Sequence, residues 1–210
     1  MAKRGLAMRA EPLPGASRRA SWLTMLVRHN RVGLLAGLLL LAFIALAIGA
    51  PLVAPSDPTD MAPIERLRPP AEAGLMGTDV FGRDVWSRIL YGARVSLGVG
   101  IVSVLIAGAV GTVLGLVAGY VGRWQEYVTM RVMDVLFSFP SILLAILIVS
   151  IWGAGFRSIV IAIALVQTPI FARIVRGSTL SLRHVEFVQA SIAAGSSTSR
   201  VLFRHILPNV

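Results

Sequence analysis

Residues 95–122 read VSLGVGIVSVLIAGAVGTVLGLVAGYVG, with no charged side chain between Arg94 and Arg123. At ~1.5 Å per residue such a run extends about 42 Å as a helix, beyond the ~30 Å hydrocarbon thickness of a bilayer. It predicts a membrane-spanning helix. Within it Ala107, Gly111, Gly115 and Gly119 recur every fourth residue and so line up as one small face. A face of that kind lets another helix backbone come close, and the wall of a translocation path is the other use open to it.

Outward from this run, three further apolar stretches follow the same logic. Val32 to Val53 lies within the 25 uncharged residues between Arg31 and Asp57, too long for the h-region of a signal peptide, and predicts an uncleaved first span. Val135 to Phe156 predicts a third. Ser158 to Ala172 is shorter, is interrupted by Gln167, Thr168 and Pro169, and spans if Arg173 snorkels to the interface. The expected spans are thus 32–53, 97–121, 135–155 and 158–174, in an all-α, multi-pass membrane bundle. Pro140 and Pro169 each remove a backbone donor and are candidate kinks in the last two.

Composition agrees. Apolar residues make up 56% of the 210-residue chain and charged residues 14%, and the mean hydropathy of +0.78 excludes an ordinary water-soluble domain. The net charge of +10 does not signal a nucleic-acid partner, because the Lys and Arg are scattered between uncharged runs instead of gathered on a soluble face. With no cysteine and three histidines, thiol catalysis, disulfides and Cys-ligated metals are excluded, and the sequence calls for no metal, cofactor or catalytic residue.

The charges instead set topology. Fourteen basic residues fall in residues 1–31, in the 123–134 connection and from Arg173 onward, and six fall on the opposite side, where Asp57, Asp60, Glu65, Glu72, Asp79 and Asp84 offset them. The positive-inside rule then makes the N-terminus and the segment after residue 175 cytoplasmic, and residues 54–94 extracytoplasmic. The span interiors carry no ionisable side chain, which argues against an ion-driven secondary transporter.

Two segments outside the spans carry information. Ala54 to Ala73 is rich in proline and charge and predicts a loop without its own core. The run from Gly77 to Arg94 begins as a turn and becomes an amphipathic interfacial helix, with Asp84 and Arg88 spaced to pair and Val85, Trp86 and Ile89 on an apolar side. A lid that orients the second span and a substrate contact are both open for it. After residue 175, Val185 to Ala194 and Ser199 to Leu207 predict two short helices with a bend at Gly195 and a stop near Pro208. The small residues Ala190, Ser191, Ala193, Ala194 and Gly195 suit a docking knob, and an amphipathic segment resting on lipid is the alternative.

These stretches resemble the inner-membrane permease subunits of ATP-binding-cassette importers, in the dipeptide, oligopeptide and nickel group, C-type. Gly77-Thr78-Asp79, Gly82-Arg83-Asp84 and Ser87-Arg88 are similar to that group's signature before the second span. Phe171 to Gly177 resembles its fourth-span exit. Gln189-Ala190-Ser191, Gly195 and Ile206-Leu207-Pro208 resemble the coupling loop, here 176–208, with Gln189 where the pattern prefers Glu, Ser191 where it prefers Ala and His205 where it prefers Ile. The resemblance implies a non-catalytic subunit of a peptide importer, with a second, B-type permease subunit, two cytoplasmic ATP-binding subunits and an extracytoplasmic substrate-binding protein as partners, in the cytoplasmic (inner) membrane. Nickel or a nickel chelate is the runner-up substrate.

A membrane enzyme is disfavoured because His29, His184 and His205 lie apart and no span places Ser, His and a carboxylate together. A scaffold without transport leaves both signature segments unexplained. The family carries six spans, so the end at Val210 is expected to be a truncation that removes part of the bundle on which the Gly111 stripe packs.

Overall fold

The computed structural model describes residues 31–210 except residue 71, so the expected basic N-terminus, 1–31, lies outside the described residues but for its last position. The chain divides into two compact units, one ending at Arg94 and the other running from Val95 to Val210. Helix and irregular loop account for the described residues, apart from one isolated β-bridge between Thr78 and Asp84.

In the first unit α1 (Arg31–Ile48) and the short α2 (Ala50–Val53) are almost one helix. The Gly49 N–H donates to Ala45 O at 2.8 Å and Gly49 O accepts from Val53 N at 3.1 Å, so the hydrogen-bond ladder passes through the joint. Residues 32–53 thereby form a rod of about 33 Å. Leu35, Leu38, Leu39 and Leu41 are exposed along it, as suits a helix solvated by lipid. A 54–84 loop containing one 3-10 turn, Pro63–Glu65, leads to α3 (Val85–Val121), which continues into the second unit.

The second unit continues with α4 (Arg123–Ser138), α5 (Ser141–Trp152) and α6 (Phe156–Leu182). It closes with α7 (Glu186–Ala193) and α8 (Thr198–Arg200), the latter running on through a π-helical segment, Val201–Ile206, and a 3-10 turn, Leu207–Asn209. Among the described residues α3 and α6 are each long and apolar enough to cross a membrane, and α4 with α5 makes a third only as a pair bent by 90°.

The expected span over 135–155 is therefore divided at Pro140, one of the two candidate kinks. Pro140 biases the preceding residue toward extended backbone, and Phe139 sits at φ −79°, ψ 134°, which ends α4 and starts α5 in a new direction. Alone, the 12 residues of α5 give about 18 Å, short of a bilayer's ~30 Å. Pro169 behaves differently: it is buried inside an uninterrupted α6, where the lost donor makes no break. The side chain of Thr168 bonds Ala164 O at 2.7 Å beside it.

α3 and α6 lie side by side and parallel. Phe156 lies against Gly98, Ser103 Oγ bonds Val160 O at 3.3 Å, and Gly111, Gly115 and Gly119 meet Thr168–Ala172, Ala172–Arg176 and Arg176–Thr179 in turn. Both helices thus advance in the same direction, and the chain must return over residues 122–155 from the level of Val121 to the level of Gly98. At ~1.5 Å per residue that level difference is about 35 Å. The bent α4–α5 pair supplies the return.

This arrangement corrects one expectation. The partner of the small-residue stripe is α6 of the same chain, so the stripe does not await helices beyond Val210. Ala107 is fully buried on the same face. A Cβ on Gly115 would stand 2.6 Å from Ala172 O and 2.8 Å from Val175 Cβ, and one on Gly111 2.6 Å from Phe171 Cβ. Any side chain there forces the helices apart.

Candidate functional site

Two sites carry the signature residues, one in each unit. In the first unit, Gly77 to Arg88 closes a knot. Asp79 is its centre: its Oδ1 accepts the N–H of Phe81 at 2.8 Å and of Arg83 at 3.0 Å, and its Oδ2 receives the Arg83 guanidinium at 2.8 Å and that of Arg88 as well. Desolvation pushes the Asp79 carboxyl up, but the Arg83 backbone and side-chain hydrogen bonds, the Phe81 N–H and the Arg83 charge outweigh it and hold the group at about 2. It is a carboxylate at any physiological pH.

The expected Asp84–Arg88 pair does not form. Asp84 Oδ2 accepts the Ser87 N–H at 2.7 Å, as a side-chain cap of the first turn of α3, and Arg88 turns back to Asp79. Capping satisfies an orphan donor that an exposed ion pair four residues apart would leave open. Ser87 itself is fully buried, and its Oγ accepts the Ser56 N–H at 3.3 Å. Thr78 Oγ1 accepts the Arg68 N–H at 3.0 Å and donates to Glu65 O, while Thr78 N donates to Arg68 O at 3.1 Å.

Glycine is required twice in the knot. Gly77 has φ +70° with its would-be Cβ 2.3 Å from Arg68 O, and Gly82 has φ +76° with its would-be Cβ 1.8 Å from Ala62 O. The eight signature residues therefore fasten the 56–68 strip to the start of α3.

In the second unit, the segment after α6 forms two helical arms joined at Gly195, whose φ is +81°. The arms are not free. Val188, Val201, Leu202 and Ile206 are buried against Leu116 of α3 and Val175 of α6, with Tyr120, Leu182 and Leu207 packed around them. Ile206 and Leu207 thus anchor the loop on the ends of the two parallel helices. Arg183 Nη1 bonds Gly119 O at 3.1 Å, capping carbonyls near the end of α3. Gln189 Nε2 donates to Arg183 O at 2.7 Å and does the same for α6. The amide at position 189 has a donor that the carboxylate of the family pattern lacks.

The outward side is built of small groups. Ala190, Ala193, Ala194 and Gly195 are exposed, and so are Pro208 and the rings of Phe187 and Phe203. No atom lies within 4 Å of a Cβ built on Gly195. Ser191 is partly covered, and its hydroxyl has no partner among the described residues.

Sequence spacing missed the polar ties that hold the unit together. Arg173, expected to snorkel, bonds Asp134 Oδ1 at 2.9 Å and lies 4.5 Å from the Phe137 ring centroid. Arg176 pairs with Glu126, its Nε at 2.8 Å from Oε1. The partners are 39 and 50 residues apart, beyond the reach of any helical periodicity, though the opposite charges at the ends of adjacent apolar runs were a visible signal. Among the described residues no group of three His, Asp or Glu side chains is placed to hold a metal.

Fold and sites together define an all-α, multi-pass membrane protein. Residues 111–210 match the family described as the binding-protein-dependent transport system inner membrane component, and residues 27–70 match the N-terminal transmembrane domain of oligopeptide transport permease C. The chain is 45% identical to the dipeptide transport system permease protein DppC of Alkalihalophilus pseudofirmus, over 87% of its own length and 60% of that protein. It is 44% identical to the glutathione transport system permease protein GsiD of Pectobacterium atrosepticum (90% and 63%), and 39% identical to GsiD of Escherichia coli O1:K1 (86% and 60%). The chain belongs to the family of binding-protein-dependent inner-membrane permeases of ABC importers, in its DppC- and OppC-like branch. It spans about 60% of the length of these relatives, which are transport subunits and not enzymes.

Proposed function

We propose that the chain serves as a permease subunit that moves di- and oligopeptides across the cytoplasmic membrane, driven by ATP hydrolysis in partner subunits. The observation that carries this reading is the 183–209 segment: an exposed small-residue surface around Gly195, seated through Val188, Val201 and Ile206 on the ends of two membrane helices. A push on that surface passes to α3 and α6 as rigid bodies, because packed cores do not deform continuously.

In this scheme residues 1–31 and 176–208 face the cytoplasm and 54–94 the other side, following the basic-residue asymmetry. Helices cross at 32–53, in α3, in the bent α4–α5 pair and in α6. Two ATP-binding subunits, one of them on the Gln189–Pro208 surface, a second permease subunit and an extracytoplasmic binding protein complete the assembly. The dipeptide and glutathione named for its relatives support peptide as the cargo.

Gly195→Glu is the test. The site has open space, so the chain folds and inserts, but φ +81° disfavours any side chain and the new carboxylate stands in the middle of the docking surface. Cells carrying the importer with this variant are expected to hold normal membrane levels of the chain and to lose at least about tenfold in uptake of a labelled dipeptide, the effect of ~1.4 kcal/mol in coupling. Unchanged dipeptide uptake overturns the coupling role, and uptake of nickel in place of dipeptide by the unaltered chain overturns the cargo.

A further inference from the structure

α4 begins where α3 ends, with only Gly122 between them. The face of α4 from Arg123 to Asp134, with Arg176 of α6, lines an open cavity of ≈ 360 Å³ that also takes in Glu126, Tyr127 and Arg131. The charges there are unequally committed. Glu126 is taken by Arg176 and Asp134 by Arg173, which neutralises both carboxylates. Two arginines remain. The Arg123 guanidinium has no hydrogen-bond or ion-pair partner among the described residues, and Arg131 bonds the Tyr127 hydroxyl at 3.4 Å, lies 5.3 Å from the Tyr127 ring centroid and feels the charge of Asp134, whose carboxylate is held by Arg173 at 2.9 Å. The walls therefore present a surplus of positive charge to the cavity.

Three further features point to an anion there. Among the described residues no side chain caps the first turn of α4, and its one acidic residue, Glu126, is held by Arg176, so its N–H groups and the positive end of its dipole add to the field of the arginines. Arg123 holds φ +52°, a left-handed conformation that an L-residue adopts only at a cost and that tends to mark function. The cavity also lies at the ends of the apolar parts of α3 and α6, the level at which a bilayer places its phosphates. Trp124 and Tyr127, both exposed and with ring centroids 6.4 Å apart in a tilted pair, stand beside it as aromatic residues do at that level. Val128, Val132 and Val135 extend an exposed apolar stripe from Trp124 along α4, bordered by Arg131.

We propose that this cavity binds the headgroup phosphate of an anionic glycerophospholipid, with Arg123 and Arg131 as the ligating cations and the Trp124–Val128–Val132 stripe under the acyl chains. A guanidinium pair suits a phosphate diester, offering forked donors to its two free oxygens. The site rests on the chain being a membrane protein and not on what it transports.

Native mass spectrometry of the full chain in detergent, titrated with phosphatidylglycerol or phosphatidylcholine of identical chains, tests it. Phosphatidylglycerol is expected to remain bound at least about tenfold more tightly than phosphatidylcholine, and Arg123→Gln with Arg131→Gln to remove that preference. Arg123→Lys is expected to retain most of it, which guards against a general loss of fold. A photoactivatable phosphatidylglycerol should label the peptides covering residues 123–135 in the unaltered chain. Equal binding of both lipids, an unchanged preference in the double variant, labelling confined to other segments, or displacement of the lipid by millimolar inorganic phosphate as effective as soluble headgroup would each overturn the proposal.

Discussion

Gly115→Leu is expected to separate α3 from α6 and to cost the bundle about 3 kcal/mol or more, the upper range for overpacking a tight contact. The built Cβ already lies 2.6 Å from a backbone oxygen, Ala172 O, and 3.0 Å from the Arg176 nitrogen. Neither atom can rotate away as a side chain would, so the helices themselves must move. Movement there also pulls Leu116 and Val175 off the core that seats the Gly195 loop. Gly100→Leu is the matched control: it lies on the same helix with nothing within 4 Å of its Cβ, and helix propensity favours the change by about 1 kcal/mol or slightly less. Thermal unfolding of the two variants in the same detergent should differ in sign, the first melting lower than the unaltered chain and the second at or above it.

Gly82→Ala is the second large effect. Alanine at φ +76° carries a conformational cost of about 1 kcal/mol, and the methyl group would overlap Ala62 O, at 1.8 Å. The overlap cannot be relieved inside the knot, because Gly82 N is bonded to Asp79 O at 2.9 Å and Asp79 is held by Arg83. The 56–68 strip must therefore release. Limited proteolysis should cut within residues 57–76 at least about tenfold faster in the variant, since cleavage follows the open population when reclosing is fast. Gly74→Ala, whose Cβ meets only the Asp84 carboxylate at 3.1 Å, should open the loop less. Insertion of α3 should be unaffected by either change.

The parts of the fold legible in the sequence are those fixed by composition along one element. The uncharged run from Val95 to Gly122 is a helix because every backbone polar group in lipid must be satisfied within its own segment. The four-residue spacing of Ala107, Gly111, Gly115 and Gly119 marks a close approach for the same geometric reason, but spacing on one helix holds no record of which helix approaches. That is why α6 as the partner emerged only from the structure. Residues 135–156 show the converse problem. A hydropathy window averages over Pro140, whereas the backbone responds to it locally by turning Phe139 extended and starting a new helix.

The candidate sites divide along the same line. Gly77, Gly82 and Gly195 were legible as turn residues, and each has a positive φ. Asp84 and Arg88 were misassigned to each other because periodicity offers only partners on the same helix, while Arg88 finds Asp79 through a turn nine residues back. The Gln189 amide over Arg183 O and the Arg183 side chain on Gly119 O are tertiary contacts that no spacing encodes. They convert a segment readable as a knob into one fixed to two membrane helices.

The most direct test of the importer assignment is purification of the tagged full chain from its native membranes with a photo-crosslinking residue at Ala190. The account predicts that an ATP-hydrolysing subunit copurifies in stoichiometric amount and is the protein crosslinked at that position, and that crosslinking weakens in Gly195→Glu. Recovery without any ATPase, with the position 190 probe reacting only with lipid, would contradict it.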